Sequence, residues 1–361
     1  MSNYTQRPKG KKAKGKKKSF GRKFREAVIP MKGDGALEII RKLVFVGAVI
    51  AFAITGGSLL YDVGTEMYQM YVKTDSYKND RTNGIDGTID LPSDVIDEVR
   101  NKVPEIQADF IKLYARNNDI VGWVKINDDI DLPVVQSTDN AYYLTHDFDK
   151  AESKSGTIFA DYRASISAEK TSGNIVMYGH NMWSSTMFSK LTRYYYEKDL
   201  EGATDEVKKL SYYKKNPLVQ FDTIYGNGTY KIFACCLFNT DYNDGEVYPY
   251  TEKINFANKD DFNNYILDVM DRSSFFTDVD LTYGDEIITL STCYMLYDTD
   301  TLRCVIFARK VRDGESTDVD VSKAVINYNR LLFQDEIDRG VGFAWTKRTW
   351  DTSYLLSYDG D

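Results

Sequence analysis

From Gly122 onward the chain is written in short alternating or β-branched runs: Trp123–Ile126, Leu132–Gln136, Thr157–Phe159, Asn174–Tyr178, Leu218–Tyr225 and Thr229–Asn239. Two more runs complete the set, Glu286–Leu290 after the turn signal Tyr283-Gly284-Asp285, with Cys293 ending that strand, and Cys304–Lys310. Strands this short, separated by turn residues, predict a mainly β domain closed into a barrel with inserted helices. The inserts are Glu206–Lys214, basic and tyrosine-containing, and Asn258–Asp271, where Phe262, Tyr265, Ile266 and Val269 recur at helical spacing. That apolar stripe reads first as core packing. Ahead of the barrel, Val95, Val99, Ile106, Phe110 and Leu113 give Asp94–Asn117 a helical period, with Ser93 as N-cap and Pro104 marking a break between two short helices. Behind it, Val325, Tyr328, Leu331 and Leu332 predict a helix over Ser322–Asp338, packed on the barrel and followed by a Trp- and Tyr-containing tail.

One stretch differs in kind: Leu43–Tyr61 is uncharged for about the 20 residues that cross a bilayer. Between it and the first helix, Asp62–Asp90 has little apolar periodicity and carries the turn signals Asn79-Asp80 and Asn83-Gly84, so it reads as a stalk. The expected plan is a basic tail over residues 1–42, an anchor over 43–61, a stalk over 62–92, the helix-led barrel over 93–312 and an extension over 313–361.

Charge sharpens this plan. The 361 residues carry a net charge of -8, but residues 1–42 hold 14 Lys/Arg against 3 Asp/Glu, leaving 32 basic and 51 acidic residues elsewhere. A run such as KGKKAKGKKK alone would suit nucleic acid. Followed by a single apolar span, it instead predicts a cytoplasmic N-terminus, an external C-terminal part and attraction to anionic lipid head groups, with no nucleic-acid partner. A cleaved signal peptide fits less well, because the span is long and its flanking Arg41-Lys42 lies far from the chain start. The four cysteines show no CxxC metal spacing and no disulfide framework, and acidic loops such as Asp241–Asp244 assign no metal.

Candidate chemistry gathers at the two strands around Cys293. Most free cysteines are small buried hydrophobes. Here, however, the polar neighbours Ser291 and Thr292 and the cation Arg303, opening the returning strand, suit a nucleophile, since a nearby cation lowers a thiol's pKa. Cys304 should point to the opposite face from Arg303. Of the two histidines, His180 ends the apolar strand of NIVMYGHNM, whereas His146 sits among polar and acidic residues with no strand feeding it. His180 is therefore the candidate base. Ser291 and Thr292 read either as small barrel residues or as hydrogen-bonding partners of a peptide, and Trp123 reads as core.

The residues YGHNM with Met187-Phe188, the TLSTC of Thr289–Cys293, and Arg303 together resemble a class B sortase, a cysteine transpeptidase of Gram-positive cell surfaces. The resemblance extends through NNDIVGWVKI, LPVVQSTDNAYYLTHDF and SGTIFADYR, and covers about Asn117 to Arg312. It implies a sortase-like closed β-barrel preceded by helices, and no cofactor. It also implies Cys293 as nucleophile, His180 as acid and base, Arg303 as carbonyl or oxyanion partner, and Tyr265 and Ile266 on a helix flanking the peptide groove. The implied substrates are surface proteins with a C-terminal sorting motif, and the implied acceptor is the amine of a cell-wall precursor or a pilin lysine. A hydrolytic cysteine protease and a silent surface assembly module are the alternatives. Beyond Arg312 the resemblance assigns nothing.

Overall fold

The computed structural model describes residues 19–85, 87, 89–196, 202–244, 247–295, 301–338 and 340. The KGKKAKGKKK run, most of the loop expected at Tyr297–Thr301 and the Trp- and Tyr-containing tail lie outside the described residues. The chain divides into two compact units, residues 1–72 and 73–361. In the first, α1 (Phe20–Val28) precedes the apolar length of α2 (Ala36–Ile85). Among the described residues α2 is the one helix long and apolar enough to cross a membrane; its most apolar stretch has a mean hydropathy of 2.3, and none of that stretch is buried.

The second unit opens with the last turns of α2, where the sequence predicts a stalk. The helix continues because these residues grip their neighbours through rings and ion pairs, which leave no aliphatic stripe to read. Tyr77 packs on Phe148 at 4.8 Å between ring centroids and under Arg116 at 4.6 Å. Arg81 bonds Asp109 at 3.0 Å and Asp222 at 2.6 Å while lying over the rings of Phe110 and Trp123. Gly84, a turn signal in the sequence, is helical and buried: a Cβ there would overlap Asp109 Cα and lie 2.7 Å from the Ala108 carbonyl oxygen.

α3 (Ser93–Lys102) and α4 (Ile111–Arg116) are the two leading helices, with Pro92 rather than Ser93 in the capping position. The barrel follows as β1 (Ile120–Ile126), β2 (Ile130–Val135), β3 (Ile158–Ala160), β4 (Asn174–Tyr178), then α5 (Thr192–Tyr195), α6 (Asp205–Lys215), β5 (Leu218–Thr223), β6 (Thr229–Asn239) and α7 (Lys259–Arg272). A short β7 (Phe275–Phe276) precedes β8 (Ile287–Cys293) and β9 (Leu302–Lys310). Eight strands close in the order β1-β2-β3-β4-β8-β9-β6-β5, with β1 pairing back onto β5. The pairs β2–β3 and β4–β8 are parallel and the rest antiparallel. Asn258 caps α7 by accepting from the Asp261 amide at 2.9 Å. The apolar face of α7 then buries Phe262, Tyr265, Ile266 and Val269 against Phe238, Ile287, Val305 and Phe307.

The extension departs from expectation. In place of a helix over Ser322–Asp338 there is a single 3₁₀ turn, a strand β10 (Val325–Ile326) paired with β7, and a short α8 (Gln334–Asp338). The apparent stripe fails because Val325 and Tyr328 are exposed. Asn327 instead fixes an extended path, donating its side-chain amide to the Ser273 carbonyl at 2.9 Å and its backbone N–H to Ser274 at 2.9 Å.

Gly84 offers a test with a sign. In a free stalk helix Gly84→Ala stabilises by about 1 kcal/mol. Against the Ala108-Asp109 backbone the added methyl has no room, and overpacking costs roughly 1–3 kcal/mol. Thermal unfolding of the purified protein should therefore show a lowered midpoint.

Candidate active site

Two pairings bring the candidate residues together. Because β4 and β8 run parallel, in register from Asn174↔Ile287 to Tyr178↔Ser291, their carboxyl ends emerge side by side. Continuing that register two places sets His180 level with Cys293. Side-chain and backbone bonds hold the continuation: Gly179 N–H donates to Ser291 O at 3.2 Å, Thr292 Oγ1 donates to Gly179 O at 2.8 Å, and Asn181 Nδ2 donates to Cys293 O at 2.9 Å. β9 returns antiparallel, so Arg303 at its start stands directly opposite Cys293. Alternation along the strands then places Ser291, Cys293, Arg303 and Val305 on the face that α7 covers.

The backbone around His180 is tightly specified. Gly179 admits no side chain, since a Cβ would overlap Ile158 Cδ1 and lie 2.8 Å from Phe188 Cδ2. The following loop folds back on itself, with Phe188 N–H donating to His180 O at 3.0 Å and with Ser185 and Met187 at φ 58° and 53°. The imidazole Nε2 lies 2.8 Å from the Leu144 carbonyl oxygen. A carbonyl only accepts, so Nε2 carries the proton, and in the neutral ring Nδ1 holds the free lone pair. His146 is engaged elsewhere, with Nδ1 2.8 Å from Tyr142 O and its ring stacked on Tyr142 at 4.0 Å. Trp123 is core, its Nε1 donating to Asp131 at 2.7 Å.

All four cysteines are free thiols, and only Cys293 is not buried. Hydrogen bonding with Cys235 and burial push the Cys304 thiol well above the ordinary range, and burial does the same to Cys236. Cys304 stands opposite Thr292 and reaches the Leu191 carbonyl at 3.5 Å, on the face away from Arg303.

Ser291 and Thr292 are buried. Thr292 ties β8 to Gly179, and Ser291 Oγ lies 2.8 Å from the Tyr250 hydroxyl. Tyr250, Asn181 and Leu144 are not legible as site residues in the sequence; Leu144 ends a 3₁₀ turn, Tyr250 and Asn181 sit in segments without periodicity, and all three matter through these bonds. Burial raises the Tyr250 phenol above its ordinary pKa, so it stays a neutral hydrogen-bonding group beside Ser291. Tyr265 and Ile266, which the resemblance sets at the groove, are instead buried beneath α7, where Tyr265 OH donates to Tyr250 O at 3.2 Å. Their side chains support the site from behind, as the plain core reading has it. Among the described residues no cluster of His, Cys, Asp or Glu would hold a metal ion.

A cysteine with a histidine and an arginine level with it on the neighbouring strands supplies the residue types that acyl transfer through a thioester uses. It also predicts selective labelling. A small alkylating reagent should modify Cys293 alone in the native protein, and Cys235, Cys236 and Cys304 only after unfolding, as read by mass spectrometry of the peptides.

Residues 125–311 match the family model of the sortase domain. The chain is 32% identical over 270 residues to sortase B of Listeria monocytogenes, covering 74% of this chain and 97% of that protein. It is 29% identical over 208 residues to sortase B of Staphylococcus aureus, covering 57% and 76%. Among solved structures, a Staphylococcus aureus sortase B–substrate complex aligns at 28% identity and TM-score 0.48, over 61% of this chain and 92% of that one. With the barrel, the rim cysteine and the matched domain all in hand, the chain belongs to the sortase family, within its class B branch of cysteine transpeptidases.

Proposed function

We propose that the protein is a membrane-anchored transpeptidase that cleaves a C-terminal sorting motif of surface proteins and passes the acyl part to an amine. The observation that carries this reading is the convergence of His180, Cys293 and Arg303 at one rim through the β4–β8 and β8–β9 registers. Cys293 attacks the scissile carbonyl as the thiolate and holds the acyl group as a thioester, dividing one difficult step into two. His180 protonates the departing amine and later accepts a proton from the incoming one, work suited to an imidazole. With Nε2 bonded to the Leu144 carbonyl, Nδ1 is the atom that exchanges that proton. Arg303 holds the substrate carbonyl and the oxyanion that develops on it, presenting donors in a fixed plane. The acceptor is the amine of a cell-wall peptide precursor or of a pilin lysine.

The anchor completes the reading. The apolar length of α2 spans the membrane, the 14 Lys/Arg of residues 1–42 stay on the cytoplasmic side against anionic lipid, and the barrel works outside.

The deciding experiment incubates the purified protein with a sorting peptide, with and without an amine acceptor. A ligated product that appears only with the amine supports transfer; hydrolysis at the same rate in both arms makes the protein a protease instead. Cys293→Ala should abolish both cleavage and ligation, whereas Cys304→Ala should retain activity. Arg303→Lys keeps the charge but loses the planar fork, and removal of an oxyanion donor costs about 10²–10³-fold in turnover. Near wild-type turnover by the Lys variant would assign oxyanion binding to backbone donors alone.

Topology is checked separately in intact cells. External protease should digest the barrel but spare a reporter fused to the N-terminus, and the opposite accessibility overturns the orientation.

A further inference from the structure

α1 (Phe20–Val28) shares a compact unit, residues 1–72, with the apolar length of α2. At helical period its residues Phe20, Phe24, Ala27 and Val28 fall within one arc of about 100°, and Lys23 and Arg25 flank that arc on either side. A helix of a globular protein buries such an arc against a core. Here Phe20 is 86% and Phe24 60% exposed, so the apolar face points away from the protein. Exposed apolar side chains continue through Ile29, Met31, Leu37 and Ile40 toward the uncharged run Leu43–Tyr61.

Polar contacts fasten α1 to the head of α2. Arg41 Nη2 donates to the Ala27 carbonyl at 3.5 Å, and Met31 N–H donates to Asp34 Oδ2 at 2.8 Å across the connecting turn. Lys42 is buried and paired with Asp34 at 2.8 Å and Glu38 at 3.7 Å, while Arg41 bonds Glu38 at 2.6 and 2.9 Å. The two cations nearest the apolar run are therefore neutralised within the protein. Residues 1–25, by contrast, hold 11 Lys/Arg and no Asp/Glu. Positive charge is thus concentrated on α1 and ahead of it, beside the exposed apolar arc.

We propose that α1 is an interfacial helix that lies in the plane of the cytoplasmic leaflet, its Phe20, Phe24, Ala27 and Val28 face set among the acyl chains and Lys23 and Arg25 at the phosphates of anionic lipids. The proposal rests on the reading of α2 as the membrane anchor. Electrostatic attraction alone holds a basic tail near the head groups, whereas an apolar face inserts below them. Long basic side chains on the flanks of that face reach back to the head groups with their charges still solvated. The helix then pins the cytoplasmic end of α2 at the depth of the interface.

The test uses the full-length protein in nanodiscs, one copy per disc, made of phosphatidylcholine alone or with phosphatidylglycerol in equal parts. Phe20→Cys, Phe24→Cys, Ala27→Cys, Lys23→Cys and Arg25→Cys are treated with a charged, water-soluble thiol reagent, and peptide mass spectrometry reads the rate at each position. Cysteines at 20, 24 and 27 should react several-fold more slowly than those at 23 and 25, and the contrast should grow with phosphatidylglycerol. Adding Phe24→Glu should raise the rate of Ala27→Cys to that of Arg25→Cys, while Phe24→Leu, which keeps the apolar area, should leave it slow. Equal rates at all five positions in both lipids overturn the proposal. Protection that appears only in discs holding two copies overturns it too, making the face a contact between copies. Val49→Cys separates the two readings: if it stays unreactive the anchor stands whatever α1 does, and if it reacts freely the anchor reading falls and the interfacial helix with it.

Discussion

The site hangs on a backbone ladder. Parallel pairing of β4 with β8 is what carries the end of one strand to the end of another across more than a hundred residues of chain, and antiparallel β9 then supplies the cation opposite the thiol. A parallel pair cannot be joined by a tight turn. The crossover here includes α5, α6, β5, β6 and α7, so the elements that close the barrel are threaded between His180 and Cys293. Gly179, Thr292 and Asn181 convert the ladder into a fixed rim, because each bonds across the β4–β8 seam where regular pairing ends.

The same barrel sorts four chemically identical thiols into one usable and three inert ones. A thiol is reactive as the thiolate, and burial opposes that charge. Cys235, Cys236 and Cys304 are buried among apolar side chains, whereas Cys293 ends its strand where the sheet gives out. Beneath the rim the hydrogen-bonded series Ser291, Tyr250, Tyr265 and Asn174 satisfies polar groups that the apolar packing of α7 would otherwise strand. A polar seam inside an apolar layer holds the floor of the site in one arrangement.

Polar and aromatic contacts also fasten the two ends of the barrel unit. The last turns of α2 grip through Tyr77, Arg81 and the close approach at Gly84, and the extension grips through Asn327, Arg330 and Glu336. Sequence patterns register aliphatic periodicity. An arginine between two carboxylates and two rings, or a buried Arg–Glu pair, has no period, which is why a helix reads as a stalk and a strand with a short helix reads as one long helix.

By itself the sequence determined the strands, since alternation and β-branching are local, and it placed β4 and β6 at the residues observed. It determined the membrane-length apolar run, the helical stripe of α7, and the choice of Cys293 and His180 over the other cysteines and histidine as candidates. Only the tertiary structure decided which faces meet: that Tyr265 and Ile266 look into the core, that Ser291 and Thr292 brace the rim, that Tyr250 and Leu144 reach the site from distant segments, and that the extension is fastened through Asn327, Arg330 and Glu336. The division has a physical cause. Propensity and periodicity act over a few neighbouring residues, whereas the partners of a side chain are set by barrel closure and strand register, which join segments far apart in the chain.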